Sequence, residues 1–479
     1  MINNITQRSQ RRRKDSQRIF NYKTLSILVL LFFTTTLFSS ESEVEESKND
    51  FNLAQIIRSI ALIYTDDKLD PEVEEFLNYK QEIIWEDNAF VYLWGMDKIT
   101  DDPYKTGKEI LVKLLEEDKL YDYEKHLYNS DFIDEYTNIE KLDHDLICSK
   151  IDKDCTNKVL IPSIDLKTII TENSKLIERY KEFTYFKHFK IISQLSYDNP
   201  WPSYRIITDS QKLFHLKLIE NFNHSPVKTI IDELIMELNS LKLKLKDADT
   251  LISKMVILTM VSENIELFNI IIQKTNSTLY NYPTNILFKH LSPSEISIYS
   301  ALFYEHYIGL KMVYDISVDI ERINEEKFKY PTIQFLKILA FIGIKPNLTV
   351  NTQYHNVIKK LFEFSKLSQQ EFYQKYYSEE IKANHDIIRN YYARVLIADV
   401  STDFKSMYLE YQARLFDLDM KVQLLRLLIQ SDSINNLKKG EEFLSSYDGT
   451  EPFIKDGKLC YSGLFNNNEK YRCLLILEK

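Results

Sequence analysis

Glycine is nearly missing from this sequence, at 8 residues in 479, and proline is scarce at 11. Few glycines mean few left-handed turns and few loops that can close around a phosphate. A dinucleotide-binding α/β fold and a turn-rich β-sandwich are both disfavoured on that ground. The familiar chemical signatures are missing too: there is no HExxH, GxSxG, Walker loop, GxGxxG or CxxC. The nine histidines (126, 144, 188, 215, 224, 290, 306, 355 and 385) are scattered, none three or four residues from another. They read as structural or solvent-facing. No catalytic, cofactor-binding or metal-binding residue is assigned from the sequence.

Net charge is −10, and it is unevenly spread. Residues 1–24 carry seven basic groups and one acidic, so the rest of the chain is near −16. So acidic a body argues against nucleic acid as a partner.

What the sequence does contain starts with an apolar run, LSILVLLFFTTTLF at 25–38. The basic leader precedes it and the acidic stretch ESEVEESKND at 41–50 follows. No charge interrupts residues 24–40, 17 positions at the lower limit for a spanning helix. Basic flanks stay cytoplasmic, so everything after residue 40 is expected to face outward, into a periplasm in a bacterial cell. Two readings stay open. An uncleaved anchor suits the long basic leader, whereas a cleaved signal peptide suits Ser39, Ser40 and Ser42. In a eukaryotic lumen, Asn276-Ser-Thr and Asn347-Leu-Thr would be glycosylation acceptors.

Four cysteines in two close pairs, Cys148/Cys155 and Cys460/Cys473, then read as disulfides. The acidic residues Asp143, Asp145, Asp152 and Asp154 around the first pair lack the ordered loop of a calcium site.

The body reads as helix after helix. The spacing of Ile56, Ile57, Ile60, Ala61 and Ile63 is helical. Asp70-Pro71 and Asp102-Pro103 each read as N-cap plus proline at the first helical position. Between them, Gly95 is expected to end a helix over 89–94 in a left-handed conformation. PWPSY (200–204) reads as a loop. Ser225-Pro226 reads as another cap, followed by an apolar stripe of Ile230, Ile231, Leu234, Ile235, Leu238 and Leu241. Ser292/Glu295 and Ser368/Glu371 match capping boxes. Residues 251–260, 333–342 and 422–429 read as apolar helices. The expected organisation is a basic cytoplasmic leader (1–24), a transmembrane helix or signal peptide (25–40), an acidic linker (41–50), helical regions at 51–209 and 210–440, and a small β-hairpin element at 441–479.

In that last segment, Asp448-Gly449 and Asp456-Gly457 are turn signals. Strands over 458–464 and 469–477 flank a turn at FNNN. A two-residue turn at Asn466-Asn467 puts Cys460 opposite Cys473 at a non-hydrogen-bonded position, where side chains approach most closely.

The most distinctive stretch is NAFVYLWGMDKITDDPYKTG (88–107). It reads as a helix–loop–helix corner, with a candidate groove for a ligand or partner formed by Trp94, Asp97 and Tyr104. Asp97, Asp101 and Asp102 could also supply an acid/base pair of the glycoside-cleaving type. This stretch, with the paired Cys148 and Cys155, NSKLIERY (173–180), LISKMV (251–256) and YDGTEPF (447–453), resembles a family of uncharacterised proteobacterial envelope proteins. Those carry Asn-Ala-x-x-Tyr-Leu-x-Gly, then Asp-Pro and a glycine. The resemblance implies a mostly helical exported protein with a small C-terminal β element, and it brings no activity with it.

The fold class expected is mainly α: an irregular multi-helix array after the N-terminal segment, with the small hairpin at its end. The expected role is non-enzymatic binding or assembly on the outer face of the inner membrane, with an envelope protein as partner. The rival is a periplasmic hydrolase using carboxylates near Trp94.

Overall fold

The computed structural model describes residues 68–79, 82–118, 166–192, 201–222, 224–275, 289–326, 346–378, 391–431 and 440–477. The leader, the apolar run at 25–40, the acidic linker, the Cys148/Cys155 loop and the apolar helix expected at 333–342 all lie outside them.

The described chain is helical, with a small antiparallel sheet at its end. In order, the helices are α1 (Pro71–Leu77), α2 (Ala89–Met96), α3 (Pro103–Asp118), α4 (Leu166–Glu172), α5 (Ser174–Tyr185), α6 (Tyr204–Phe222), α7 (Val227–Asp247) and α8 (Leu251–Thr275). They continue with α9 (Pro293–Ile296), α10 (Tyr299–Glu326), α11 (Pro346–Gln353), α12 (Lys359–Ser365), α13 (Gln369–Ser378) and α14 (Tyr391–Gln430).

Capping chemistry sets most of the starts that the sequence foretold. Asp70 accepts the Glu72 N–H at 3.0 Å, with Pro71 at the first helical position. Asp102 accepts the Lys105 N–H at 2.9 Å to open α3. Ser292 and Glu295 form a full capping box, although the helix it opens has only four residues. Ser368 and Glu371 repeat the exchange at α13. Ser225 does not act as a cap, because α7 starts one residue late, at Val227, which leaves Pro226 in the cap position with no side-chain acceptor.

Helix α8 is the centre of the array, packed by α6, α7, α10, α14 and the sheet. By length and composition it could cross a membrane, yet 72% of its most apolar window is buried inside the protein. Several of its polar side chains meet partners on neighbouring elements. Asn264 Nδ2 donates to Glu237 Oε2 at 2.8 Å, and Glu266 Oε1 accepts the Leu475 N–H at 2.8 Å. The stripe expected on α7 turns inward: Ile230, Ile231, Leu234, Leu238 and Leu241 are buried, with Ile235 packed at the edge. Helix α6 runs through the boundary expected at residues 209 and 210, and one hydrophobic core continues across it.

A buried carboxylate ties α5, α6, α7 and α8 together. Glu237 accepts Tyr180 Oη at 2.5 Å, Gln211 Nε2 at 2.8 Å, Asn264 Nδ2 at 2.8 Å and His215 Nε2 at 2.9 Å. Burial alone pushes its carboxyl pKa up, but the histidine and the donated hydrogen bonds outweigh this and hold it below the usual range.

The C-terminal sheet has three strands, β1 (Phe453–Lys455), β2 (Lys458–Cys460) and β3 (Cys473–Leu475), in that spatial order. Asp456 and Gly457, at φ 49° and 69°, make the two-residue turn between β1 and β2 that a right-handed strand twist favours. The two long strands expected here are shorter, and β1 is an addition. A 3₁₀ segment, Asn466–Tyr471, takes the place of the tight turn. The register is nonetheless the expected one. Cys460 pairs with Cys473 and is disulfide-bonded to it. Tyr461 N–H donates to Arg472 O next to them, which makes the cysteine pair a non-hydrogen-bonded one.

Candidate functional site

The strongest candidate is built where α2, α3 and the end of α5 meet. Asn88 organises it. Its Oδ1 accepts the Phe90 N–H at 3.0 Å, capping α2, and also the Lys190 N–H at 3.2 Å. Its Nδ2 donates to Ile84 O and Lys190 O. A fully buried side chain thereby fastens the start of α2 to residues 188–190, about a hundred positions away.

Every residue of α2 is buried. Gly95 does not end the helix in a left-handed conformation, as expected; it lies inside it. The reason is packing: a Cβ on Gly95 would stand 1.9 Å from Pro103 O, and one on Gly107 would stand 2.0 Å from Val91 O. The two glycines let α2 and α3 touch backbone to backbone.

Arg179 of α5 holds the turn between those helices. Its guanidinium donates to Met96 O at 2.7 Å, to Lys98 O at 2.8 Å and to Thr100 O. Burial lowers its pKa. The turn so fixed delivers Asp101 and Asp102 to the rim of a cleft of about 470 Å³. The carboxylates lining it are Asp87, Asp101, Asp102 and Glu182, and the rings are Tyr92, Tyr104, Tyr185 and Phe186. Its described lining contains no lysine or arginine.

Stacking and hydrogen bonds hold the walls. Tyr104 stacks on Phe186, with centroids 5.4 Å apart and planes 8° apart, and its hydroxyl donates to Trp85 O. Tyr92 Oη donates to Glu182 Oε2 at 2.6 Å, joining α2 to α5. Burial, then that carboxylate, raises the Tyr92 pKa beyond any physiological value, so it stays a donor. Asp87 adopts a left-handed conformation, φ 55°, which aspartate tolerates better than most residues. Its carboxylate accepts the Lys187 N–H at 3.0 Å and pairs with Lys187 Nζ at 3.1 Å. Burial pushes its pKa up, but the Lys187 contacts prevail and the net shift is downward.

Of the groove residues read from sequence, Tyr104 lines the cleft and the other two do not. Trp94 is buried in the core, its indole N–H without a hydrogen-bond partner. Asp97 follows α2 directly and pairs with Lys98 at 3.2 Å. Trp94 lies on α2, which is buried on all sides, whereas Tyr104 lies in the first turn of α3 at the edge of the cleft. Glu182, Tyr185 and Phe186 were not foreseen, and no local pattern marks them. They reach the cleft because α5 lies across the α2–α3 corner. Of the cysteines, the Cys460–Cys473 bond lies at the other end of the chain and Cys148/Cys155 outside the described residues.

A ring of carboxylates between aromatic faces can hold a cation through charge and through the negative faces of the rings. Comparison of the chain with protein-family models, with curated proteins and with solved structures found no match.

Proposed function

We propose that this chain is an exported, membrane-anchored envelope protein that binds rather than catalyses, and that the cleft at the α2–α3 corner takes a cationic group from a partner protein. The observation that carries this reading is the lining itself, four carboxylates and four aromatic rings. A lysine or arginine side chain of an envelope partner has the matching charge and length.

Several facts support the location. The charge reversal across residues 25–38 is the pattern of an anchor with the body outside. The disulfide-bonded Cys460 and Cys473 suit an oxidising compartment. The likeness to proteobacterial envelope proteins agrees with both.

Binding is preferred to hydrolysis at this place because Asp97, the carboxylate nearest Trp94 in sequence, does not line the cleft and pairs with Lys98.

The test is fluorescence anisotropy of labelled hexalysine and hexa-arginine peptides with the full chain in detergent. Saturable binding that weakens at least tenfold in Glu182→Gln with Tyr185→Ala supports the reading. Equal affinity in that variant, or equal affinity for a hexaglutamate peptide, sinks it. A protease added outside the cells that leaves the body uncut in intact cells and digests it after outer-membrane permeabilisation would support the location. Digestion only after the inner membrane is opened would overturn it.

A further inference from the structure

A second cleft, about 330 Å³, lies away from the first and shares no lining residue with it. His290 lines it together with Leu444, Ser446 and Gly449. Behind His290 is Asp419 of α14, which is buried. Asp419 Oδ1 accepts the Leu291 N–H at 2.6 Å, and its Oδ2 lies 2.8 Å from His290 Nδ1. A carboxylate only accepts, so Nδ1 carries the proton and Nε2 keeps its lone pair. The His290 side chain is about half exposed, so its imidazole is reachable from solvent while its orienting carboxylate is not.

Three hydroxyls border the cleft, and two are occupied. Ser445 Oγ accepts the Tyr447 N–H at 3.3 Å, and Tyr447 Oη donates to Ala413 O at 3.2 Å. Ser446 is half-buried and makes no hydrogen bond among the described residues. His290 and Ser446 line one cleft, and Asp419 backs His290 from within the protein; these are the residue types of a serine acyl-transfer centre, drawn from three parts of the chain.

We propose that this cleft is an esterase site with Ser446 as nucleophile, His290 as general base and Asp419 as the positioning residue that orients His290. The substrate class is a small carboxylic ester, its acyl chain lying against Leu444. Ser446 Oγ attacks the carbonyl carbon, and its proton passes to His290 Nε2. The bond to the leaving alcohol breaks, and the alkoxide takes that proton. Water then attacks the acyl-serine and gives a proton to Nε2. The acid leaves, and the proton returns to Ser446 Oγ. This assignment is independent of the cation-binding cleft.

The experiment uses the full chain in detergent with a biotinylated fluorophosphonate and with 4-nitrophenyl acetate. A probe adduct on Ser446, lost with ester hydrolysis in Ser446→Ala, is the expected result. His290→Gln should slow labelling by about 10²–10⁴-fold. Both side chains are at least partly exposed, so circular dichroism should show the variants folded. In Asp419→Asn the onset of labelling should move to lower pH. His290 loses the negative charge beside it that raises its pKa, while Arg426, which lowers it, stays in place and Glu441 and Glu442 remain in the cleft lining. A folded chain with no adduct on Ser446, or an unchanged labelling rate in His290→Gln, overturns the proposal. An onset in Asp419→Asn that does not move removes Asp419 from it.

Discussion

Gly95 and Gly107 face each other across the α2–α3 crossing so closely that a Cβ on Gly107 would lie 3.0 Å from the Gly95 nitrogen. In a chain with so little glycine, two of its eight residues sit at this one contact. The crossing sets the angle at which Asp101, Asp102 and Tyr104 arrive at the cleft.

Gly95→Ala and Gly107→Ala should therefore each destabilise the fold. The added methyl meets a backbone carbonyl oxygen rather than a side chain that can swing away. Overpacking of this kind costs about 1–3 kcal/mol, and these contacts belong at the upper end. A urea titration checks the loss. A midpoint unchanged in both variants would show that the helices separate freely.

Tyr180→Phe removes one of the donors to the buried Glu237 carboxylate. The expected loss is about 1–3 kcal/mol, because a charge far from water is left short of a partner. Glu237→Ala should cost more, about 3–5 kcal/mol, since His215, Gln211 and Asn264 all lose an acceptor. Paired denaturation curves for the two variants provide the comparison.

Lys244 makes stability depend on pH. Its ammonium is buried, donating to Phe186 O at 2.6 Å and to Ser240 Oγ at 2.8 Å, and burial lowers its pKa from 10.5 to about 7. The unfolded chain then holds a proton between pH 7 and 10.5 that the folded chain has released. The penalty for burying the charge is full below pH 7 and fades as pH rises to 10.5, so this group makes stability rise with pH across that window. The slope approaches about 1.4 kcal/mol per pH unit. Lys244→Met should flatten the rise, as read from unfolding free energies at pH 7, 8 and 9. A variant with the parent slope would show that the lysine stays charged in the fold.

Arg179→Lys keeps the charge and loses the fork that reaches three carbonyls in the turn at 96–100. Amide exchange in residues 97–102 should speed up, and hexalysine affinity should fall with it. Exchange at the parent rate would mean that the turn holds without the clamp.

Reduction of the Cys460–Cys473 bond, or a double Cys→Ser variant, opens a loop with a sequence separation of 13. The loop-entropy account puts the loss at about 3 kcal/mol. The first place to loosen should be where Leu475 meets Glu266, Asn269 and Gln273 on α8. Melting with and without reductant measures the effect.

Much of this molecule was legible in the sequence for local reasons. Scarce glycine and proline with three-to-four apolar spacing meant helices. Asp70-Pro71, Asp102-Pro103, Ser292/Glu295 and Ser368/Glu371 marked helix starts because capping needs only neighbouring residues. The Cys460/Cys473 register followed from strand alternation, and it survived even though a 3₁₀ segment replaced the turn that suggested it. Two fragments behind the family resemblance turn out to be structural: Arg179 and Tyr180 lie in NSKLIERY, and Lys254, which donates to Leu245 O, lies in LISKMV.

The sequence by itself determined the helical class, several caps, the cysteine register and the charge reversal around residues 25–38. Those depend on spacings of a few residues. Tertiary structure alone decided that Gly95 is a helix contact rather than a helix end, that Trp94 is core, and that Glu182 and Phe186 face Asp102 and Tyr104. It alone brought His290, backed by Asp419, and Ser446 to the lining of one cleft. Such meetings depend on which helices pack together across a hundred or more residues, and no period or local motif along the chain encodes that distance.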